Sequence, residues 1–146
     1  MVFTVRPDST VPIYEQIAAQ VVFGVAAGDP PPGELVPSVR DLAQRLDVNP
    51  NTVARAYQDL ERLGILETKR GRGMEVTADA PALCDARRRE IIRARLRDAV
   101  REAAAGALTA EDVIGLVEDE WAKWAKWAKW AKLNGRGRRR GREDRS

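Results

Sequence analysis

Residues 37–64 read PSVRDLAQRLDVNPNTVARAYQDLERLG, and their pattern is two short helices joined by a tight turn. Ser38 is a good N-cap, with Asp41 three residues on in capping-box register. Leu42, Ala43 and Leu46 supply the buried side of that helix. Asp47, Val48 and Asn49 make the turn. Asn49 can cap the next helix with Pro50 at its first position, where a missing N–H costs nothing. Gly64 ends this second helix of the pair.

Upstream, IYEQIAAQVVFGVAAGD (residues 13–29) places Ile13, Ile17, Val21 and Val25 on one helical stripe. Pro12 suits its first turn, and Gly28 followed by Pro30, Pro31 and Pro32 stops it. Downstream, ILET (65–68) and MEVT (74–77) read as short strands joined by KRGRG (69–73). The order is helix, helix, turn, helix, hairpin. The predicted fold is therefore mainly α with a small β-hairpin, a winged helix-turn-helix. Beyond Pro81, Ile92, Leu96, Val100 and Ala103 form a stripe that stops at Gly106. Thr109 and Asp112 can cap a last helix carrying Val113, Ile114, Leu116 and Val117. Two such helices hold too few apolar residues for a core of their own and are expected to pack on a second chain. The predicted organisation is a DNA-binding domain over 1–80, a helical dimerisation extension over 81–132 and a disordered basic tail over 133–146.

Charge is distributed unevenly. Residues 1–120 hold 15 Lys+Arg against 20 Asp+Glu, a balance of −5, while residues 121–146 hold 10 against 2, a balance of +8. The basic character therefore belongs to the C-terminal end, and any cations that grip nucleic acid in the body must be concentrated on one face. With one cysteine, Cys84, and no histidine, the sequence gives no expectation of a disulfide framework, a metal site or a Cys/His nucleophile. No catalytic residue, cofactor or enzymatic activity is expected. No apolar run reaches the roughly 18 residues that span a bilayer, and no secretory signal is visible, so stable membrane insertion is not expected and the expected compartment is the cytoplasm.

The third helix carries the functional expectation. At about 100° per residue, Arg55, Gln58 and Arg62 fall within roughly 40° of Asn51, and Thr52 and Asp59 within about 100°. Val53, Ala56, Tyr57, Leu60 and Leu63 fall on the opposite side. One face seats the helix; the other offers Asn, Thr, Arg and Gln, the side chains that hydrogen-bond base edges in a major groove. Because the N-terminus of a recognition helix enters first, Asn51, Thr52 and Arg55 are favoured over Arg62. Ser38 and Arg40, at the start of the second helix, sit where backbone phosphates are gripped, and the start of the third helix, capped by Asn49, presents N–H groups suited to a phosphate. Arg70 and Gly71 form the wing tip, flanked in the basic turn by Lys69 and Arg72; glycine permits close approach and arginine can enter a narrow minor groove. The candidate DNA-binding set is thus Ser38, Arg40, Asn49, Asn51, Thr52, Arg55, Gln58, Lys69, Arg70, Gly71 and Arg72, and the expected partner is double-stranded DNA.

PIYEQIA followed by PSVRDLAQRLDVNPNTVARAYQDLERLGILETKRGRG strongly resembles the GntR family of bacterial transcription regulators, in particular its YtrA-like subfamily, over roughly residues 11–77. The resemblance implies a homodimer on a palindromic operator, most often as a repressor. It implies DNA contacts from Ser38, Arg40, the start of the third helix, and the wing tip at Arg70 and Gly71. Many relatives carry an arginine directly after the Thr-Val pair; here Ala54 stands there and Arg55 follows, a shift the YtrA-like pattern shares. Larger relatives add a ligand-binding or aminotransferase-like domain, for which the 69 residues after Thr77 are expected to be too few. The YtrA-like pattern instead implies a short two-helix dimerisation extension. A small-molecule effector is left open, and the sequence does not identify one.

Residues 121–132 repeat WAK four times. On a helix a three-residue period slips by about 60° per step, so Trp121, Trp124, Trp127 and Trp130 wind around the axis and form no single seam. Three readings stay open: a tolerated terminal duplication, a contact to DNA phosphates or an anionic membrane surface, and Trp packing at a dimer interface. The alternative for the whole chain is a winged-helix module that docks a protein or a membrane surface and binds polyanions non-specifically through its tail.

Overall fold

The computed structural model describes the backbone of residues 1–143 and the side chains of residues 1–135. Its elements in order are α1 (Ile13–Ala26), α2 (Val39–Leu46), α3 (Pro50–Arg62), β1 (Leu66–Lys69), β2 (Gly73–Val76), α4 (Ala80–Ala105) and α5 (Ala110–Glu143). The predicted order of helices and hairpin is the observed one. The chain forms two compact units, Met1–Ala94 and Arg95–Ser146.

In the first unit the apolar stripes converge. Ile17, Val21 and Val25 of α1, Leu42 of α2, and Val53, Ala56 and Leu60 of α3 are buried. Each lies at the helical spacing expected of a seated face. α3 packs against α1, α2 and β1. Leu63 departs from the wheel: at the C-cap of α3 it is 45% exposed, because the helix ends there and the chain turns through Gly64 before the core is reached again at Ile65.

The helix boundaries have identifiable causes. Ser38 Oγ accepts the Asp41 N–H at 3.1 Å, and Asn49 Oδ1 accepts the Asn51 N–H at 2.8 Å. α2 closes on Asp47 in the left-handed region (φ 52°), whose N–H returns to the carbonyls of Ala43 and Gln44. That residue reverses the chain, and Asn49 starts α3 two positions later. Thr109 and Asp112 cap α5 reciprocally. The Thr109 N–H donates to Asp112 Oδ2 at 2.9 Å and the Asp112 N–H to Thr109 Oγ1 at 3.1 Å. The first of these bonds holds the Asp112 carboxyl below the usual carboxylate range.

Tyr57 is the largest fully buried side chain, and its hydroxyl donates to the Pro37 carbonyl at 2.7 Å. A phenol that is 1% exposed needs such a partner, and this one fastens the middle of α3 to the residue before the α2 cap.

The hairpin pairs Leu66 with Val76 and Lys69 with Gly73, one residue displaced from the strand limits read off the sequence. The joining turn carries an Arg72 N–H to Lys69 carbonyl bond of 3.0 Å with Gly71 at φ 77°. A positive φ at the third turn position is the type II geometry that favours glycine. A third extended segment, read in the sequence only as a lead into α2, joins this sheet. The Gly33 N–H donates to the Val76 carbonyl, the Val36 N–H to that of Met74, and the Val76 N–H to that of Glu34. Leu35 thereby bridges Glu75. Four residues between a proline run and Pro37 are too few to show an alternation, so the pairing is legible only in three dimensions.

The N-terminal arm is likewise part of the first unit. Met1, Phe3 and Val5 alternate inward onto the core. Gln20 donates to the Thr4 carbonyl and accepts its N–H, and Gln16 does the same for Arg6. Two side-chain amides one helical turn apart thus replace a strand partner for the arm.

α4 begins in the first unit, where Ala80 and Cys84 are buried, so that unit reaches Ala94 and includes residues that the sequence reading assigned to the extension. In the second unit, α5 runs through the WAK repeat to Glu143. The tail expected to be disordered from residue 133 is helical that far, and the rest of that expectation lies outside the described residues. Alanine, lysine and arginine favour helix, and adding residues to an existing helix avoids the cost of nucleation. No described helix is long and apolar enough to cross a membrane.

Candidate nucleic-acid interface

The candidate DNA-contacting residues divide among elements that all abut α3 or belong to it. On α3 itself, Asn51, Arg55 and Gln58 are exposed and Thr52 is half-buried, while Val53, Ala56, Tyr57 and Leu60 on the other side are 0–1% exposed. The polar ridge therefore stands clear of its seat. Two acids flank the ridge: Asp59 is ion-paired with Arg62, so its charge is offset within α3, and Glu61 accepts the Thr68 hydroxyl at 2.6 Å.

At the start of α2, Ser38 and Arg40 are exposed. The Ser38 oxygen accepts the Asp41 N–H yet keeps its own O–H to donate. Arg40 forms no ion pair among the described residues. Asn49 is exposed with its oxygen engaged as the α3 cap, which leaves its NH₂ as the outward donor. The Tyr57–Pro37 bond fixes this α2 start relative to α3, so the two sets of donors hold one spacing.

At the wing, Arg70 and Gly71 occupy the exposed turn. Lys69, at the end of β1, is half-buried and pairs with Glu67 at 3.6 Å; Arg72 pairs with Glu75 at 3.7 Å. Both pairs are long and reach solvent on at least one side, although the Glu75 side chain is only 19% exposed, and such pairs are weak enough for a phosphate to replace the carboxylate. Arg70 forms no ion pair among the described residues and is the wing cation least encumbered.

One participant was missed in the sequence. Arg55 lies over the ring of Tyr14 in the first turn of α1, with its guanidinium carbon 3.8 Å from the ring centroid. The signal available was the aromatic in PIYEQ just ahead of the α1 stripe, but nothing in the sequence says that α1 meets this face of α3. Among the described residues no group of His, Cys, Asp and Glu is arranged to hold a metal ion. Cys84 is buried in the core, and burial pushes its thiol up to about 11.

A three-helix core, a two-stranded wing and an exposed polar ridge on the third helix together define a winged helix-turn-helix DNA-binding protein. The family described as bacterial regulatory proteins, gntR family, matches residues 13–76. The HTH-type transcriptional repressor YtrA of Bacillus subtilis (strain 168) is 37% identical over 119 residues, covering 82% of this chain and 88% of that one. The HTH-type transcriptional regulator YhcF of the same organism is 38% identical over 107 residues, covering 73% of this chain and 88% of its own. The solved structure of a GntR family transcriptional regulator from Listeria monocytogenes superposes with a TM-score of 0.67 at 31% identity, over 77% of this chain and 97% of that one. The chain belongs to the gntR family of bacterial regulatory proteins and is a DNA-binding transcription regulator.

Proposed function

We propose that this regulator is a sequence-specific repressor that acts in the cytoplasm and binds a palindromic operator as a homodimer. α3 enters the major groove and the wing lies on the minor groove. The observation that carries this reading is the α3 ridge: Asn51, Arg55 and Gln58 exposed along one side of a helix whose other side is fully seated. Base readout is assigned to Asn51, Thr52, Arg55 and Gln58. Phosphate contacts are assigned to Ser38, Arg40 and Asn49, and wing contacts to Lys69, Arg70, Gly71 and Arg72. Repression is supported by the name of the YtrA relative. Dimerisation is supported by Ile92, Leu96 and Val100, which are 38%, 47% and 50% exposed on α4 at helical spacing; such a stripe loses contact with water only against another surface. We assign residues 1–80 to DNA binding and 81–132 to this pairing.

Selection of bound sites from random duplexes, at physiological salt, tests the reading. The expected product is an inverted repeat whose half-sites lie about one helical turn apart, or a multiple of that. A chain cut after residue 120 should select the same repeat. Binding that needs residues 121–146, ignores sequence and vanishes with salt would replace this function with non-specific polyanion binding by the tail. That second reading draws on Trp121, Trp124, Trp127 and Trp130, which are 58–69% exposed and interleaved with lysines.

A further inference from the structure

Resting on the DNA-reading function proposed above, we infer that Tyr14 is a positioning residue for base recognition, holding the Arg55 guanidinium against its ring at the edge of the α3 ridge. The two residues come from different helices and are 41 positions apart. They meet because α1 packs on α3. The 3.8 Å approach of the guanidinium carbon to the ring centroid is a cation–π contact. Tyr14 is half-buried and packs on the core, so the ring is a fixed platform. Its hydroxyl donates to Glu15 Oε1 at 3.1 Å. Donation to a carboxylate enriches the ring in electron density, which strengthens its hold on a cation.

Arg55 differs in this from its neighbours. Arg62 is paired with Asp59, and Arg72 with Glu75, so both must surrender a carboxylate before meeting DNA. Arg55 is held through an aromatic face. A guanidinium carries its N–H donors in its plane, so a partner on its face leaves edge donors for the bidentate pattern of a guanine or a phosphate. An unrestrained arginine loses side-chain entropy when it is fixed; a side chain already leaning on a ring has lost part of it before DNA arrives. The benefit falls on the contact Arg55 makes with its base and not on general attraction to phosphates.

The test uses the full chain, its selected duplex and a scrambled duplex of equal length. Tyr14→Leu and Tyr14→Met fill the site without a π face; Tyr14→Phe keeps the face. The first two should weaken the selected duplex about three- to tenfold, because Arg55 then gives up its side-chain freedom only on meeting DNA, and the scrambled duplex less than about twofold. Tyr14→Phe should stay within about twofold of the parent, since the ring face is retained. In an Arg55→Ala background, Tyr14→Leu should cost nothing further. Equal losses on both duplexes, or the same loss with and without Arg55, would make Tyr14 a purely structural residue and overturn the inference. A regulator that selects a sequence but is indifferent to Arg55→Ala overturns the inference and leaves the function standing. A parent chain that binds both duplexes alike overturns both.

Discussion

Replacing Tyr57 with phenylalanine removes one oxygen from the centre of the first unit and nothing else. The ring stays among its neighbours, so no cavity term of consequence arises; what is lost is the 2.7 Å bond to the Pro37 carbonyl. A neutral hydrogen bond contributes about 0.5–1.5 kcal/mol net, and the abandoned carbonyl adds a desolvation cost of roughly 1–3 kcal/mol if water cannot reach it. Pro37 is half-buried, so water recovers part of that acceptor, and the expected loss is about 1–2 kcal/mol. For a unit of this size the melting midpoint should fall by roughly 5–15 °C, at about 4–8 °C per kcal/mol. Circular dichroism melts and urea titrations of parent and variant measure it. A second arm uses alkali. Burial pushes the Tyr57 phenol well above the ordinary tyrosine range, so the fold binds that proton more tightly than the unfolded chain does. The stabilisation is whole below about pH 10 and is lost as pH rises beyond it, a loss the variant should lack. An unchanged midpoint, or an alkaline limb identical in both proteins, would refute the assignment of Tyr57 as the tie between α3 and α2. A loss well beyond about 3 kcal/mol would mean that the ring had repacked and the single-bond reasoning was wrong.

Other expectations follow from single features. Ser38→Ala deletes the acceptor for the Asp41 N–H and should cost about 1 kcal/mol in urea denaturation, with a parallel fall in operator affinity. Gly71→Ala meets no steric obstacle, yet must hold φ near 77°, and should cost on the order of 1 kcal/mol. Gly71→Asn should be milder, and a reversed order in melting experiments would exclude the type II turn. The Cys84 thiol, raised to about 11, is neutral and buried at neutral pH. A disulfide reagent at pH 8 should label it slowly in the folded protein and fast in urea. Because the fold favours the protonated thiol, stability from this group is complete below its unfolded pKa of about 8.5 and falls as pH approaches the folded value. Equal labelling rates with and without urea would show that the core around Cys84 is open.

The local grammar of this protein is written in its sequence. Ser38 with Asp41, Asn49 with Pro50, and Thr109 with Asp112 announce helix starts because a cap satisfies N–H groups only a few residues away, and such geometry needs no distant partner. The seated face of α3 is legible for the same reason: Val53, Ala56, Tyr57 and Leu60 must share one side of any helix that contains them. Pairings across the chain are not fixed in that way. That Leu35 would join the wing, that Gln16 and Gln20 would hold the N-terminal arm, and that α5 would continue past residue 133 depended on which surfaces came together or which helix was already nucleated. The placement of Arg55 shows the division most clearly. Sequence put it on the polar side of α3, within one turn of Asn51; only the packing of α1 on α3 set its guanidinium over Tyr14, because a periodicity defines a direction around one axis and says nothing of what another helix brings to meet it.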